Sequence, residues 1–163
     1  MDWNKAARDP WVWGQLLLTF VVLLAAPLLP RFVNLGAADF LLNRIDPDWI
    51  RRLGGIFLLA GVGIVLWGVR SLGRSLTPGV EPLAGAELVT TGAYAHARHP
   101  IYTGVVLVLA GYALSWSNWT LALIVGLISR LYFEAKAKRE ERWLLERYPA
   151  YHSYMRHVRR RVL

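Results

Sequence analysis

Two clusters of charged and aromatic residues in this sequence have the chemistry needed to bind a small polar molecule. The first is the stretch GAYAHARHPIYTG at 92–104, which holds Arg98 and His99 directly before a long apolar run. The second is the pair Glu140 and Glu141, which follows the next two apolar runs. Guanidinium groups bind carboxylates, and carboxylates accept hydrogen bonds from ammonium and hydroxyl groups. The two clusters are therefore complementary if the fold brings them together.

The segments between the clusters predict that they meet. Residues 101–116 and 119–133 are short apolar runs separated by a two-residue turn, which is the pattern of a helical hairpin. A hairpin returns the chain to the membrane depth at which it entered. Glu140 then follows Phe133 by about 10 Å of helix. If the helix after residue 133 folds back over the hairpin, the two clusters face each other across a pocket.

Each cluster also has an explanation that needs no pocket. Pro100 suits the first turn of a helix, where an N–H group is not required, and Arg98 could extend its charge from the bilayer edge into water. The glutamates could be solvated beside lysine on one helix face. The four histidines lack the spacing of a metal site, so no metal is predicted; they are His96, His99, His152 and His157.

The composition is that of a membrane protein. Of 163 residues, 55% are hydrophobic and only 18% are charged, and there are eight tryptophans. Soluble domains are usually less apolar and more charged, and indole rings collect at membrane interfaces. There is no cysteine, which excludes disulfides, thiolate metal ligands and a cysteine nucleophile. The length predicts a single membrane domain over residues 1–163.

The apolar runs predict an all-α, polytopic integral membrane protein with about four transmembrane helices. A span needs about 20 apolar residues of helix, and continuous apolar runs favour helices over a barrel. Four runs qualify or nearly qualify: residues 11–29, 53–69, 101–116 and 119–133. Residues 31–52 could hold a short interfacial helix around 37–42, which is too short to span the bilayer. A fifth, short or re-entrant element there, around 37–42, is the alternative.

The distribution of basic residues predicts that both termini lie in the cytoplasm. The N-terminal arm, the connection 70–100 and the tail 134–163 carry most of the lysines and arginines, and basic loops stay inside. The tail is predicted to be a cytosolic helix that ends or kinks at Pro149. The alternative is a basic amphipathic helix that lies on anionic lipid. No nucleic-acid partner is predicted.

Two blocks of the sequence carry a family resemblance. LVTTGAYAHARHPIYTG, followed after the hairpin by EERWLLERYPAYHSYMRHVRR, resembles the isoprenylcysteine carboxyl methyltransferase family and the related phospholipid N-methyltransferases. The resemblance covers about residues 70–160, and 70–163 is taken as the catalytic region, with a motif loop at 88–104. The matching positions are Leu88, Val89, Gly92, Tyr94, Arg98, His99, Pro100, Tyr102, Gly104, Glu140, Glu141, Leu144, Tyr151 and Tyr154.

The resemblance implies a membrane enzyme that uses S-adenosylmethionine and methylates a lipophilic acceptor arriving from the bilayer. Methyl transfer from a sulfonium is an in-line displacement, in which positioning dominates. The resemblance implies catalytic roles for Arg98, His99, Tyr102 and Glu141. It implies cofactor contacts for a larger set: Tyr94, Arg98, His99, Pro100, Tyr102, Gly104, Glu140 and Glu141.

Several expectations qualify these roles. Successive helix positions diverge by about 100°, so one glutamate is expected to contact the cofactor and the other to pair with Arg98 or a tail arginine. Gly104 would let a ligand approach the helix. Arg98 and unpaired N–H groups at the start of the third span are expected to hold the cofactor carboxylate. Arg70 and Arg74 are candidates for an anionic acceptor group.

Two other functions remain open at the level of sequence. A membrane reductase with a nicotinamide cofactor is one, because sterol reductases carry a C-terminal region similar to this family's. A non-enzymatic membrane subunit that uses the basic tail for lipid or partner contact is the other. The acceptor, the methylated atom (oxygen, nitrogen or sulfur) and the oligomeric state are not determined, although GGIFLLAGVG permits helix association, including a dimer.

Overall fold

The computed structural model describes residues 8–28, 47–77, 79, 85–116 and 119–162. These residues form five α-helices and no strand, which confirms the all-helical class. The helices are α1 (Pro10–Leu28), α2 (Pro47–Leu72), α3 (Pro100–Ser115), α4 (Trp119–Arg147) and α5 (Tyr151–His157). Short 3-10 turns occur at Gly73–Ser75 and Gly92–Ala95.

The local sequence explains where the helices begin and end. Proline occupies the first position of α1, α2 and α3, where its fixed φ suits a helix and its missing N–H costs nothing. Asp9 caps α1, because its carboxylate accepts a hydrogen bond from the Trp11 N–H at 2.9 Å. Pro149 separates α4 from α5, as the sequence predicts.

Two of the described helices are long and apolar enough to cross a bilayer, namely α1 and the stretch 48–75 that contains α2. Both expose large apolar side chains along much of their length, including Leu17 at 62% and Leu59 at 71% exposure. Such faces indicate a membrane protein. The apolar helix α3 has 16 residues, and α4 is apolar only in its first half. The count of four spans stays a prediction, and the element expected at 37–42 lies outside the described residues.

Glycines allow α2 and α3 to pack with their backbones in close contact. Gly54 and Gly61 of α2 face Gly111 and Gly104 of α3 in antiparallel order. A Cβ atom built on Gly61 would lie 2.7 Å from the Gly104 carbonyl oxygen, and one on Gly104 would lie 2.7 Å from the Gly61 carbonyl oxygen. Gly54 and Gly61 of GGIFLLAGVG therefore serve packing within the chain, whereas Gly55 and Gly63 have no atom within 4 Å of a built Cβ.

The predicted hairpin is formed by α3 and α4, which pack together with α1. Their shared core is apolar, and the turn at 117–118 lies outside the described residues. The buried members are Val22 and Ala26 of α1, Leu109 and Ala113 of α3, and Leu121, Ala122 and Val125 of α4. Beyond the hairpin, α4 continues as one helix as far as Arg147, so the chain folds back only after Pro149.

The segment after Pro149 packs against the rest of the protein. Tyr151 and Tyr154 of α5 and Val158 are buried with Leu88 of the motif loop and Leu144 of α4. A helix lying on a lipid surface would direct these apolar side chains to the membrane. Residues 151–158 instead form a second, smaller core, so the apolar side of this part of the tail faces the protein.

Candidate functional site

The motif loop is fixed to the end of α2 by a glycine turn. Gly92 has a positive φ of 61°, which favours glycine, and a Cβ atom there would lie 2.4 Å from the Ser71 hydroxyl oxygen. That hydroxyl accepts a hydrogen bond from the Ala93 N–H at 3.1 Å. The turn places Tyr94 in a buried position, where its carbonyl accepts a hydrogen bond from the Tyr154 hydroxyl at 2.6 Å.

The segment of residues 158–162 lies along the other side of the motif loop, and we call it the C-terminal strap. The Arg98 N–H donates to the Arg160 carbonyl at 2.9 Å, and the His99 N–H donates to the Arg161 carbonyl at 3.0 Å. Arg130 Nη1 donates to the Val162 carbonyl at 2.7 Å. The backbone N–H groups of Arg98 and His99 are thus occupied, so the expected anion site at the start of α3 does not include them.

Glu141 is buried where the motif loop, α4 and the strap meet. Its Oε1 lies 2.9 Å from Arg98 Nε and 3.3 Å from His99 Nε2, and its Oε2 accepts from Arg161 Nε at 2.8 Å. Burial raises the pKa of Glu141, but the His99 hydrogen bond and the charges of His99, Arg98 and Arg161 outweigh it and lower the pKa. The carboxylate is therefore ionised at neutral pH and holds three side chains in place.

Glu140 makes a different set of contacts, as the angular separation of the two glutamates predicts. Its Oε2 accepts a hydrogen bond from the Tyr102 hydroxyl at 2.7 Å and lies 3.5 Å from His99 Nδ1. The two ring nitrogens of His99 therefore face two different carboxylates. Glu140 keeps 23% of its side chain exposed, against 5% for Glu141. Glu140 is the glutamate that a ligand can reach.

A buried lysine that the sequence analysis did not single out lies beside these groups. Lys136 Nζ donates to Gln15 Oε1 of α1 at 2.8 Å and lies 5.2 Å from the centre of the Tyr102 ring. Its burial lowers its pKa, against the opposing charges of Glu140 and Asp9. In the sequence Lys136 is one of many basic tail residues. The sequence feature that could have drawn attention to Lys136 is its partner Gln15, which is a polar residue inside an apolar span.

A cavity lies between the end of α2, the motif loop, α4 and α5, with an empty volume of about 1000 Å³ that includes open solvent. Lys136, Glu140 and Leu144 line it from α4; their spacing of four residues puts them on one face of the helix. Apolar side chains of α2 and α3 line another wall: Val69, Leu72 and Ile101. Five tyrosines contribute as well: Tyr94, Tyr102, Tyr148, Tyr151 and Tyr154.

Comparison with known proteins identifies the family. The family described as phospholipid methyltransferase matches residues 49–151, a range that contains the motif loop, α3 and α4. The chain belongs to the phospholipid methyltransferase family. It is also 34% identical over 111 residues to the nickel-cobalt-cadmium resistance protein NccN of Alcaligenes xylosoxydans xylosoxydans. That match covers 68% of this chain and 50% of NccN, so the chain spans about half the length of this curated relative.

In this phospholipid methyltransferase family member, five of the residues chosen from sequence line the cavity. They are Tyr94, Arg98, His99, Tyr102 and Glu140. Glu141 is not among the described lining residues, because it lies behind Arg98 and His99. Pro100 and Gly104 are also absent from that lining, and Gly104 packs against α2. The contact with α2 accounts for a glycine at position 104 without a ligand. Cofactor contacts of Pro100, Gly104 and Glu141 stay predictions.

The two arginines near the far end of α2 that were candidates for binding an anionic acceptor do not enter the described wall of the cavity. Arg70 and Arg74 are exposed, whereas Val69 and Leu72 contribute the apolar lining there. Within the described ranges, no group of three or more histidine, aspartate or glutamate side chains is placed to hold a metal ion. The printed name of the NccN relative refers to resistance to nickel, cobalt and cadmium.

Proposed function

We propose that this chain is a membrane methyltransferase that uses S-adenosylmethionine to methylate a lipophilic or amphiphilic acceptor. The observation that carries the proposal is the cavity between the motif loop and α4, whose wall includes Arg98, His99 and Glu140. Membership of the phospholipid methyltransferase family gives the reaction class. The apolar helices α1 and α2 support a position of this cavity beside a bilayer.

The residues around the cavity fit the chemistry of S-adenosylmethionine. The donor has an ammonium, a carboxylate, a ribose diol and an adenine ring, and when bound it supplies an electrophilic methyl group on a sulfonium. The cavity offers a reachable carboxylate in Glu140, a guanidinium in Arg98 and several aromatic faces. The buried Tyr151 hydroxyl has no hydrogen-bond partner among the described residues, which is the condition of a group that awaits a ligand.

The roles of the individual residues follow from their contacts. Glu140 accepts hydrogen bonds from the ribose hydroxyls or the ammonium, and Tyr102 orients its carboxylate. Arg98 binds the donor carboxylate, with its guanidinium held by Glu141 from behind. Glu141 is then a positioning residue, because it acts through Arg98 and His99. This chemistry depends on holding the reacting groups in line and on limiting water in the site.

The acceptor reaches the cavity from the side of the membrane helices. Val69, Leu72 and Ile101 provide an apolar wall there, and this wall suits a hydrocarbon chain. Lys136 and Gln15 lie on the α1 side of the site and are placed to orient a polar acceptor group. An isoprenylcysteine-like carboxylate is one acceptor of this description, and other amphiphiles carry similar groups.

Calorimetric titration of the purified protein with S-adenosylhomocysteine, the product of the donor, tests the proposal. We expect Glu140→Gln to weaken binding about tenfold, since hydrogen bonds to a charged group contribute about 1.5–3 kcal/mol. The matched control is Glu146→Gln, which changes an exposed glutamate on the same helix. Absence of binding at millimolar ligand would contradict the proposal, and binding of a nicotinamide cofactor instead would indicate a reductase.

A second measurement addresses the acceptor. Mass spectrometry of membrane lipids and lipid-modified proteins, with and without the protein, should reveal species heavier by one methyl group. Glu140→Gln should remove these species and Glu146→Gln should retain them. An unchanged lipid and protein profile in the presence of active, donor-bound protein would exclude a membrane acceptor.

A further inference from the structure

The first helix, α1, lies outside the range 49–151 that matches the family, yet it contributes a polar residue to the cavity. Gln15 is one of the lining residues, in a helix whose other residues are almost all apolar. The Thr19 hydroxyl donates to the Gln15 carbonyl within α1, whereas the Gln15 side chain contacts α4. A polar side chain in an apolar span is costly and commonly functional, so Gln15 is a candidate for a role at the site.

Contacts with α4 hold the first turns of α1 beside the cavity. The Tyr132 hydroxyl donates to the Trp11 carbonyl, and the two rings are 5.5 Å apart. Gly14 packs against Tyr132, because a Cβ atom built on this glycine would lie 2.7 Å from the hydroxyl oxygen. The next residue, Gln15, is thereby held against α4, where its Oε1 accepts a hydrogen bond from Lys136 Nζ at 2.8 Å.

Lys136 is the first of the α4 residues in the cavity wall, next to the apolar half of that helix. Glu140 lies one turn, or about 6 Å, further along α4, where it accepts a hydrogen bond from Tyr102. The other cation in the described wall, Arg98, is paired with Glu141. An amphiphile whose chain lies along the apolar wall of the cavity would therefore bring its head group to Lys136.

We propose that Gln15 and Lys136 form the binding site for an anionic head group of the acceptor, either a carboxylate or a phosphate. The inference rests on the proposed function and gives the charge of its acceptor. Lys136 supplies a positive charge on a flexible stem with three hydrogen-bond donors. The Gln15 amide orients the ammonium through its oxygen, does not neutralise it, and has an NH₂ group that can donate to the same anion.

The electrostatics of Lys136 support an anionic ligand. Burial lowers the pKa of Lys136, and the opposing charges of Glu140 and Asp9 do not fully offset this effect. A further negative group close to the ammonium would favour its charged form. Only 1% of Lys136 is exposed, so water would screen that contact weakly. A cationic head group would instead add positive charge to a wall that already holds Arg98.

Calorimetric titration of the purified protein in an uncharged detergent tests the charge preference. The probes have the same chain and differ in charge: dodecanoate, dodecanol and dodecyltrimethylammonium. We expect the wild type to bind dodecanoate most tightly, and Lys136→Gln to weaken that binding about tenfold, since hydrogen bonds to charged groups are the stronger ones. Binding of dodecanol should not change. Equal affinity of the wild type for the three probes would overturn the proposal.

The matched control is Lys138→Gln, which removes the same charge from an exposed position two residues further along α4. This variant should keep the wild-type preference for dodecanoate. An equal loss in Lys138→Gln and Lys136→Gln would show that the basic surface attracts the probe, and it would overturn the site.

A second variant, Gln15→Glu, separates binding from folding. It places a carboxylate beside Lys136, where the proposed ligand would bind. We expect an unchanged or higher unfolding temperature, because the new side chain can pair with the ammonium, together with dodecanoate binding that is weaker by about tenfold. A pair with only a structural role would not lose ligand affinity when its contact is strengthened. Unchanged affinity for dodecanoate in Gln15→Glu would therefore contradict the proposal.

Two further titrations define the result. Dodecyl phosphate distinguishes the two sources of the anionic group, because tighter binding of this probe than of dodecanoate indicates a phosphate and the reverse indicates a carboxylate. Titration of the same wild-type sample with S-adenosylhomocysteine separates this inference from the proposed function. Binding of S-adenosylhomocysteine with no charge preference among the amphiphiles overturns the head-group site alone. A preference for dodecanoate without S-adenosylhomocysteine binding supports the anion site and overturns the methyltransferase function.

Discussion

The contacts of Glu141 distinguish it from its neighbour Glu140, and we expect replacement of the two residues to affect stability differently. Glu141→Gln removes the charge that compensates buried Arg98. We expect it to lower the free energy of unfolding by about 3 kcal/mol, because breaking a buried ion pair leaves the other charge uncompensated. Glu140→Gln changes a partly exposed carboxylate and should leave stability nearly unchanged. Chemical denaturation of both variants in detergent measures the difference; equal stabilities would contradict it.

The same carboxylate predicts how stability depends on pH. The folded protein holds the pKa of Glu141 below its usual value of 4.5. The unfolded chain therefore binds the proton more readily, and the contribution of Glu141 is complete above pH 4.5. It is lost as the pH falls through the lower, folded pKa. The difference in unfolding free energy between wild type and Glu141→Gln should be constant from neutral pH down to about pH 4.5 and shrink as the pH falls from there through the folded pKa. A constant difference in acid would show that Glu141 is not a stabilising charge.

At the scale of elements, the contact between α2 and α3 predicts a position-specific effect of glycine replacement. Gly61→Ala would place a methyl group 2.7 Å from the Gly104 carbonyl oxygen. We expect a loss of about 1–3 kcal/mol of stability, since neither backbone can move without separating the helices. The control is Gly63→Ala, where no atom lies within 4 Å. That change should be neutral or stabilise the helix by up to about 1 kcal/mol. Thermal unfolding that ranks the two variants equally would be inconsistent with this packing.

The C-terminal strap predicts a difference between two arginines that are two residues apart. Arg161 is bonded to Glu134 and Glu141, whereas Arg159 is exposed. We expect Arg161→Ala to lower stability by about 1.5–3 kcal/mol, the range for hydrogen bonds to charged groups. It should also weaken S-adenosylhomocysteine binding, because Glu141 then holds Arg98 less firmly. Arg159→Ala should stay within about 0.5 kcal/mol of wild type. Thermal unfolding and calorimetric titration of both variants measure these effects, and equal stabilities of Arg161→Ala and Arg159→Ala would contradict the prediction.

For the whole molecule, the absence of cysteine in the sequence allows the topology to be mapped with single cysteine variants. Ala95→Cys and Ser153→Cys both change exposed residues that are predicted to be cytoplasmic. We expect both to react with a membrane-impermeant maleimide only in inside-out vesicles. Arg51→Cys, also exposed, should react only from the opposite side. Labelling of Ala95→Cys and Ser153→Cys on different sides would refute the predicted arrangement.

The sequence predicted the helices and the meeting of the two clusters because both depend on local patterns. Apolar runs, prolines at helix starts and the break at Pro149 are read directly from residue order. The contact between Arg98 and Glu141 was expected because a helical hairpin returns the chain to the membrane depth at which it entered. The sequence also indicated that the two glutamates point in different directions. Which of them faces Arg98 and which faces the cavity depends on the angle at which α4 passes the motif loop.

Contacts between distant segments were not predictable from the sequence. Residues 158–162 carry no strand pattern, and they lie beside Arg98 and His99 through tertiary context. The pairing of Lys136 with Gln15 joins α4 to α1, and neither residue belongs to the motif blocks. The glycines of α2 predicted helix association, but the sequence did not specify that the partner was α3 of the same chain.

The strap also predicts an order of events during synthesis of this protein. The helices can enter the bilayer as they emerge, since domains and segments form from the N-terminus onwards. The backbone N–H groups of Arg98 and His99, however, can form their hydrogen bonds only after Arg160 and Arg161 have been added to the chain, because these residues supply the acceptor carbonyls. We therefore expect a chain that stops before residue 160 to insert its helices but to lack these two bonds to the motif loop. Translation past residue 161 would then separate insertion from completion of the proposed binding site.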